Sequence, residues 1–254
     1  MCLILIAWQT HPEYPLVLAA NRDERYDRPT LPLAFWPDAP DILGGRDLEA
    51  GGSWLACHRD GRFAAVTNVR EANASKDALR SRGDLVRNYL NKNVQPIEFA
   101  RSICQHEYAG FNLLLGSETT LVYVSNRGAT TPRVLAAGIY GLSNHQIDTP
   151  WPKLVKARAG FIEALAQLPK TQAMFAVLAD RTLADDATLP DTGLPLAAER
   201  MLSSIFVVSE HYGTRASTVL YRDRGRRLRM VERRFAARGE PLGGNQMAMM
   251  STGV

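Results

Sequence analysis

The residue with the clearest potential for chemistry is a cysteine at the second position of the chain. Removal of the initiator methionine, which is usual before a small residue, leaves the Cys2 thiol beside a free α-amino group. The amine has an unperturbed pKa of about 7.7 to 8.0 and the thiol one of about 8.5, so the amine can accept the thiol proton near neutrality. This predicts a nucleophile that carries its own base. The alternative is that Cys2 is an ordinary small apolar residue at the start of a buried strand.

Two apolar runs open the sequence, residues 2–8 and 16–20, with a short break between them that holds two prolines. The break is too short for a helical crossover, so the runs predict an antiparallel β-hairpin. With the turn centred on residue 12 or 13, Cys2 stands opposite Arg22 or Asp23. The thiol is therefore expected to face the polar block that follows the second strand.

That block places an amide, a guanidinium and a carboxylate beside the thiol, in Asn21, Arg22 and Asp23. We expect Asp23 to orient the amine, Arg22 to lower the thiol pKa or bind a substrate carboxylate, and Asn21 to donate to an oxyanion. Arg22 and Asp23 are adjacent, so on extended backbone they must point to opposite sides. A solvated turn is the alternative explanation of the block.

Several short motifs, in a fixed order from Met1 to about Tyr221, resemble those of one family. They are Met1-Cys2, Asn21-Arg22-Asp23-Glu24, Gly44-Gly45-Arg46-Asp47, Gly51-Gly52-Ser53-Trp54-Leu55, Thr67-Asn68-Val69-Arg70, Ser81-Arg82-Gly83, Gly110-Phe111-Asn112-Leu113, Gly141-Leu142-Ser143-Asn144 and Tyr212-Gly213-Thr214-Arg215. Together they resemble the NRDE family, also called the transport and Golgi organisation protein 2 family. The resemblance implies the fold of N-terminal nucleophile hydrolases, especially the penicillin V acylase and bile salt hydrolase branch.

The same resemblance leaves two classes of function open. One is hydrolysis of a linear, non-peptide amide, or acyl transfer, with Cys2 as the nucleophile. The other is a non-catalytic intracellular carrier or chaperone for haem or an acyl-CoA, because family members have been connected with haem trafficking and with acyl-CoA and lipid metabolism.

Further candidate site residues come from strand ends and from the resemblance. Asn68 and Asn144 are similar to asparagines near the nucleophile in the acylase branch, with Asn144 a candidate oxyanion donor or else an Asn that closes a turn. Arg215 is similar to an arginine near that nucleophile and is a candidate anion binder. Arg70 is a candidate for substrate binding or for a surface role, and the buried-looking Asn112 for substrate binding or for a structural role.

The chain shows no repeat or linker, so we predict one domain over residues 1–254, with a loosely held tail over residues 236–254. Strands, a helical middle and further strands fit an α+β fold. The resemblance implies an αββα sandwich, two antiparallel sheets flanked by helices. Residues 25–42 are expected to be an irregular loop, and residues 185–200 an exposed connection or a lid.

We expect no resident cofactor. The chain has 46% hydrophobic and 22% charged residues, as is typical of a globular protein, and a net charge of +4 that mildly favours anionic ligands over nucleic acid. Three cysteines without paired spacing argue against a disulfide framework or a metal site and favour the cytoplasm. Haem remains a candidate ligand, although no histidine can be chosen as its axial ligand. No stretch approaches the roughly 20 apolar residues of a membrane span.

Overall fold

The computed structural model describes residues 2–72 and 79–252, which form two antiparallel sheets and their flanking helices. The strands are β1 (Cys2–Trp8), β2 (Leu16–Arg25), β3 (Thr30–Trp36), β4 (Ala39–Asp47), β5 (Leu55–His58), β6 (Phe63–Asn68), β7 (Phe111–Gly116), β8 (Leu121–Ser125), β9 (Arg133–Leu135), β10 (Gly138–Leu142), β11 (Tyr212–Arg222), β12 (Arg227–Phe235) and β13 (Pro241–Met250). The helices are α1 (Gly83–Leu90), α2 (Pro96–Arg101), α3 (Pro152–Leu165), α4 (Gln172–Leu178) and α5 (Leu196–Met201). Within these residues one sheet has the order β10-β1-β2-β11-β12-β13 and the other the order β3-β4-β5-β6-β7-β8-β9.

The two sheets pack face to face, with helices on both outer sides. Apolar side chains of both sheets, among them Ile4, Leu18 and Phe63, fill the space between them. Helices α3 and α4 cover the outer face of the six-stranded sheet, where Phe161 is fully buried, and α1 and α2 cover the seven-stranded sheet around Tyr89. The predicted αββα sandwich is confirmed.

The opening hairpin has the register that its turn predicts. Strands β1 and β2 pair with Cys2 opposite Arg22. Side chains alternate between faces, so Leu18 and Ala20 point between the sheets while Ala19 points towards α3 and α4. This alternation decides which members of the polar block can reach the thiol.

Residues 25–42 are not the irregular loop that their prolines suggested. They supply β3 and the beginning of β4, which pair with an irregular register between Leu31 and Ala34, on either side of Pro32. Strand β3 is an edge of the seven-stranded sheet, and an edge strand tolerates a proline because one side of its backbone makes no ladder hydrogen bonds. The physical reason for the difference is therefore the position of the strand in the sheet.

The expectation of a loosely held tail is wrong for residues 241–250. These form β13, which pairs with β12 from Arg227 opposite Met250 to Phe235 opposite Pro241. Met249 is 5% exposed and packs in the core between the sheets. The pairing with β12 explains this, because it orders the backbone of the strand, whose side chains are mostly exposed. Residues 253–254 lie outside the described part of the chain.

Three further local features follow from where the elements begin and end. Cys104 is exposed because α2 ends before it. Asp84 lies in the first turn of α1, whose N-cap is Arg82. Residues 203–209 form no strand, and β11 pairs with β2 and β12.

The segment 185–200 is held to the rest of the molecule at its end. Glu199 of α5 is 3% exposed and forms an ion pair with the buried Arg70, which follows β6. Nearer the surface, Arg200 pairs with Asp186 within the segment. The segment is thus an exposed connection with a buried anchor.

Candidate functional site

Cys2 lies at the end of the sandwich, where β1 begins and β2 and β6 end. It lines a pocket of about 120 Å³ between the two sheets. Charged side chains of both signs surround the pocket: Arg22, Arg28, Arg82, Asp23, Glu24 and Asp47. This pocket is too small to enclose a whole drug-sized ligand, since sites for such ligands usually measure about 300 to 1,000 Å³.

Arg22 borders the pocket from β2, on the inner side of the six-stranded sheet. It is 5% exposed, its guanidinium lies 4.3 Å from the centroid of the Trp54 ring, and its Nη1 donates to Thr30 Oγ1 at 3.2 Å. A glycine makes room for the ring, because a Cβ on Gly45 would stand 2.3 Å from Trp54 Cη2. The absence of a side chain at Gly45 thus lets Trp54 stack on Arg22, the arginine opposite Cys2.

Asp23 borders the pocket on the other side of β2, as adjacent residues of a strand must. Thr214 Oγ1 donates to Asp23 Oδ1 at 2.7 Å, and Tyr212 Oη donates to the Asp23 carbonyl oxygen at 2.9 Å. The pairing of β2 with β11 shifts at Arg215, which bulges between Thr214 and the next paired residue. Burial raises the pKa of the Asp23 carboxyl, while Lys153 and the Thr214 hydroxyl act in the opposite direction.

The thiol of Cys2 is held in its neutral form in the full chain. Burial raises its pKa, and the Asp23 carboxylate raises it further. The charged N-terminus of the chain, the Arg22 guanidinium and a hydrogen bond from the Asp23 backbone N–H to the sulfur act in the opposite direction, but they do not outweigh burial. Ionisation of this thiol near neutral pH therefore needs a base close to the sulfur.

Asn68 and Asn144 are in direct contact at the pocket's edge. Asn68 ends β6 and lines the pocket, whereas Asn144 is fully buried behind it. The Asn144 Nδ2 lies 3.0 Å from both the carbonyl oxygen and the Oδ1 of Asn68. With its oxygen held in this way, the Asn68 amide is oriented with its own Nδ2 available to the pocket. Asn144 acts on Asn68 instead of donating to the pocket itself, which corrects its predicted role.

Four other predicted site residues lie outside this pocket. Asn21 points to the helical side, where its Nδ2 donates to the Leu178 and Ile205 carbonyl oxygens at 2.8 and 2.9 Å, so no amide hydrogen remains for an oxyanion. Asn112 is buried within the seven-stranded sheet, bonded to Thr67 and Tyr123. These two residues are structural because strand alternation and burial commit their amides to protein partners.

The two remaining arginines are also committed elsewhere. Arg70 is 5% exposed, pairs with Glu199, and lies 4.6 Å from the centroid of the Trp151 ring. Arg215 donates to the carbonyl oxygens of Arg25 and Arg28 and borders a neighbouring cleft. Arg70 does not line the Cys2 pocket because its side chain is buried in the ion pair with Glu199, and Arg215 lies in the bulge of β11 beside a neighbouring cleft.

The structure also brings to the pocket residues that were not assigned a role from the sequence. Arg82 lines it from the start of α1, and its Nη1 donates to the Gly110 carbonyl oxygen at 3.2 Å. A close approach positions this segment, since a Cβ on Gly52 would stand 2.4 Å from the Gly83 carbonyl carbon. Both Arg82 and Trp54 lie within motifs that carry the family resemblance, and this was the available signal.

Lys153, in the first turn of α3, is a buried cation on the helical side of the six-stranded sheet. It is 4% exposed, and its Nζ donates to the Leu202 carbonyl oxygen at 3.0 Å, an oxygen that also accepts from Arg70 at 3.4 Å. Burial lowers the pKa of Lys153 to about 8, and the nearby Asp23 opposes this shift. Nothing in the sequence marked it beyond its place at the start of an amphipathic helix.

Neither a metal cluster nor a membrane-spanning helix is found in the part of the chain that the structure describes. Over residues 2–72 and 79–252, no group of three or more His, Cys, Asp or Glu residues could hold a metal ion. In the same residues no helix is long and apolar enough to cross a bilayer. The side chains that line the pocket supply a thiol, an amide, hydroxyls, carboxylates and guanidinium groups.

Comparison with known proteins agrees with the motifs. Residues 1–237 match the family described as Transport and Golgi organisation 2. The Transport and Golgi organization protein 2 homolog of Homo sapiens is 35% identical over 257 residues, with 92% of each chain covered, and the Drosophila melanogaster protein is 28% identical over 260 residues, with 91% of each covered.

Among solved structures, the mutant C2A conjugated bile acid hydrolase from Clostridium perfringens superposes with a TM-score of 0.52 at 8% identity, covering 100% of this chain and 95% of that one. This likeness shows the fold, which is that of the N-terminal nucleophile hydrolases. The match over residues 1–237 and the identity to the human relative establish the family. This chain belongs to the Transport and Golgi organisation 2 family.

Proposed function

We propose that this protein is an N-terminal cysteine hydrolase of linear, non-peptide amides, with Cys2 as the nucleophile once the residue before it, Met1 in the printed sequence, has been removed. The observation that carries the proposal is the shared pocket of Cys2, Arg22, Asp23 and Asn68 between the sheet ends. These residues supply a thiol, a cation beside it, a buried carboxylate and an oriented amide. Such a set suits nucleophilic attack on a carbonyl carbon.

Each residue has a distinct part in the proposed reaction. The Cys2 sulfur forms a bond to the amide carbonyl carbon, and its proton passes to the Cys2 α-amine and then to the leaving nitrogen as the C–N bond breaks. Asp23 orients that amine, and the Asn68 Nδ2 donates to the oxyanion. Water then cleaves the thioester, which restores the thiol and releases a carboxylic acid. An amine in place of water makes the same intermediate an acyl donor, so acyl transfer is the related activity.

The state of the thiol supports a requirement for processing. In the full chain burial raises the pKa of Cys2, and Asp23 adds to this. A free α-amine on the same residue supplies the missing base directly beside the sulfur. The reaction also needs a reduced thiol, which fits a reducing compartment such as the cytoplasm.

The solved structure of similar fold gives independent support. It is a conjugated bile acid hydrolase in which the cysteine at that protein's own position 2 was changed to alanine. The unmutated protein therefore has a cysteine at its own second position, and its name describes action on a conjugated bile acid. This favours an amide of small-molecule type as the substrate class here.

The alternative, a carrier of haem or an acyl-CoA, has less support from the pocket. No histidine is among the described residues that line it, so an imidazole ligand for haem iron is missing there. Its volume of about 120 Å³ is also small for either ligand. The carrier proposal predicts a rise in melting temperature with haem or a long-chain acyl-CoA, weakened by Arg215→Ala, and an unrelated basic protein is its control.

The hydrolase is tested with a chain whose leader ends directly before Cys2 and is removed by a site-specific protease. The substrates are a chromogenic amide, N-decanoyl-4-nitroanilide, and N-decanoylglycine. We expect turnover only after removal of the leader, a transient acyl adduct on Cys2 in the intact mass, and neither result for Cys2→Ala. Equal turnover before and after removal of the leader, or no turnover by the processed protein with either substrate, would contradict the proposed mechanism.

A further inference from the structure

The three arginines that line the Cys2 pocket differ in how their charges are balanced. Arg28 is held by both oxygens of Asp47, with Nε–Oδ1 at 2.8 Å and Nη2–Oδ2 at 2.7 Å. Arg22 stacks on Trp54 and lies 3.9 Å from a carboxylate oxygen of Glu24. Both cations therefore have an anionic neighbour or an aromatic face within the protein.

Arg82 is the exception among them. Its guanidinium is half-buried, and within the described residues its one hydrogen bond goes to the neutral carbonyl oxygen of Gly110. No carboxylate of the described residues forms an ion pair with it. Burial lowers the pKa of Arg82, as expected for a cation without a close counter-ion. A partly desolvated charge is costly unless an anion compensates it, and the open side of Arg82 is the pocket that holds Cys2.

Resting on the proposed hydrolase function, we propose that Arg82 binds the carboxylate of the substrate, and that the substrates are N-acyl-α-amino acids. A guanidinium presents two parallel N–H groups that match the two oxygens of a carboxylate, which is the geometry that favours arginine over lysine at such sites. Arg82 is then the residue that selects anionic amides over neutral ones.

The size and polarity of the pocket indicate which half of the substrate enters it. The space of about 120 Å³ has six charged side chains around it, with Trp54 and Val66 as its large apolar neighbours. An amino acid with its carboxylate fits such surroundings, whereas a long acyl chain does not. The carboxylate therefore belongs to the amine half, and the acyl chain leaves through the mouth of the pocket.

The overall reaction balances with water as the second reactant. The C–N bond of the N-acyl amino acid breaks, the acyl group passes to the Cys2 sulfur, and the proton of the thiol leaves with the amino acid. Water then adds to the thioester, giving a fatty acid and the free thiol. Arg82 takes no proton and forms no bond in either step, so it is a binding residue.

The experiment compares matched amides on the processed protein. N-decanoylglycine carries the carboxylate on the amine side, N-decanoylglycinamide replaces it with a neutral group, and N-decylsuccinamic acid carries it on the acyl side. We expect kcat/KM to favour N-decanoylglycine over the neutral amide by about 10- to 100-fold, the worth of a hydrogen bond to a charged group. Arg82→Gln should remove that preference by slowing only the acid, and Arg82→Lys should restore part of it.

Arg80→Gln is the matched control, because Arg80 lies two residues away, exposed, and pairs with Glu107 outside the pocket. It should leave the preference unchanged. Equal rates on the acid and the neutral amide, or a preference that survives Arg82→Gln with its melting temperature unaltered, would overturn the role of Arg82. Equal cleavage of N-decylsuccinamic acid would overturn the assignment to the amine half.

The failure of the proposed function gives a different result from the failure of this inference. If no amide is cleaved, ligand binding tests the role of Arg82. N-decanoylglycine should raise the melting temperature of the wild-type protein more than N-decanoylglycinamide does. It should not raise the melting temperature of Arg82→Gln. A shift that is the same for both proteins would show that the acid does not bind at Arg82.

Discussion

Asn144 holds Asn68 by two atoms at once, its Nδ2 lying 3.0 Å from both the carbonyl oxygen and the Oδ1 of that residue. The two asparagines come from opposite sheets, since Asn68 ends β6 and Asn144 follows β10. The contact joins the sheets at the end where Cys2 lies. It makes the orientation of the Asn68 amide depend on a residue that does not touch the pocket.

We therefore expect Asn68→Ala to lower kcat of the processed enzyme by about 100- to 1,000-fold, the usual effect of removing one oxyanion donor. Asn144→Ala should lower kcat by a smaller factor, because the Asn68 amide remains but is no longer oriented. The measurement is steady-state kinetics on N-decanoylglycine, with melting temperatures recorded for each variant.

Asn126→Ala is the control for loss of a half-buried asparagine that bonds the backbone. Asn126 bonds the backbone of residues 105–111 and lies outside the pocket. Asn126→Ala should lower the melting temperature and leave kcat unchanged. An Asn68→Ala enzyme with normal kcat would contradict the oxyanion role.

How much of this site could be predicted depends on whether the relevant contacts are local. The pairing of Cys2 with Arg22 followed from the length of a short turn, because the register of a hairpin is fixed by its loop. The side of the strand towards which each residue of the polar block 21–23 points was harder to predict. Asn21 and Asn112 have the right chemistry, yet strand alternation turns both into the protein interior, where their amides bond the protein.

Arg82 and Lys153 could not be assigned because the residues they meet are far away in the chain. Arg82 reaches the pocket through the close packing of Gly52 on Gly83, and Lys153 is buried on the helical side through the docking of α3 on the six-stranded sheet. Such contacts follow from tertiary packing, which periodicity and motif spacing do not encode. The strand at residues 241–250 was missed for the same reason, since its partner β12 supplies the surface that orders it.

Lys153 makes the stability of the protein depend on pH in a defined window. Its pKa is about 8 in the folded chain, against about 10.4 for an unperturbed lysine. Between these values the unfolded chain binds more protons than the folded one, so the contribution of Lys153 to the free energy of unfolding rises with pH. The change amounts to about 3 kcal/mol, since one pKa unit corresponds to about 1.4 kcal/mol.

The free energy of unfolding of Lys153→Met, measured relative to that of the wild type, should therefore be highest below pH 8 and should fall by about 3 kcal/mol by pH 10.4. Urea unfolding of both proteins at pH 7 and pH 10 measures the change, and titrations of groups that do not interact with Lys153 cancel in the difference. Lys156→Met, on the exposed side of the same helix and paired with Asp180, is the matched control. If the free energies of unfolding of Lys153→Met and the wild type differ by the same amount at both pH values, the shifted pKa of Lys153 is contradicted.

The buried ion pair of Arg70 and Glu199 fixes α5 and the segment before it to the end of β6. Removing one partner leaves the other charge buried, so Arg70→Met or Glu199→Gln should each lower the free energy of unfolding by about 3 to 5 kcal/mol. The double variant Arg70→Met/Glu199→Met should recover most of this, because neither charge of the pair is left buried without its partner.

Chemical denaturation of the single and double variants gives the coupling between Arg70 and Glu199 directly. Arg200→Gln removes the exposed ion pair with Asp186 in the same segment and should change the free energy of unfolding by less than about 1 kcal/mol. Additive losses in the double variant would show that the two side chains are not coupled.

The order in which the three thiols react with an alkylating reagent reports the state of the N-terminus. Cys57 is fully buried, and burial raises its pKa well above that of a free thiol, so it should react last in every form. In the chain that retains Met1, burial and Asp23 raise the pKa of Cys2, and the exposed Cys104 should react first. After Met1 is removed, the α-amine beside the sulfur should make Cys2 react before Cys104.

Iodoacetamide labelling at pH 7, followed by peptide mass analysis, measures the order of reaction in both forms of the protein, and Cys104→Ser removes the competing site. A Cys2 that stays slower than Cys104 after processing would contradict an activated nucleophile at this position, whereas a reversal of the order on loss of Met1 alone is the result that the N-terminal cysteine mechanism requires.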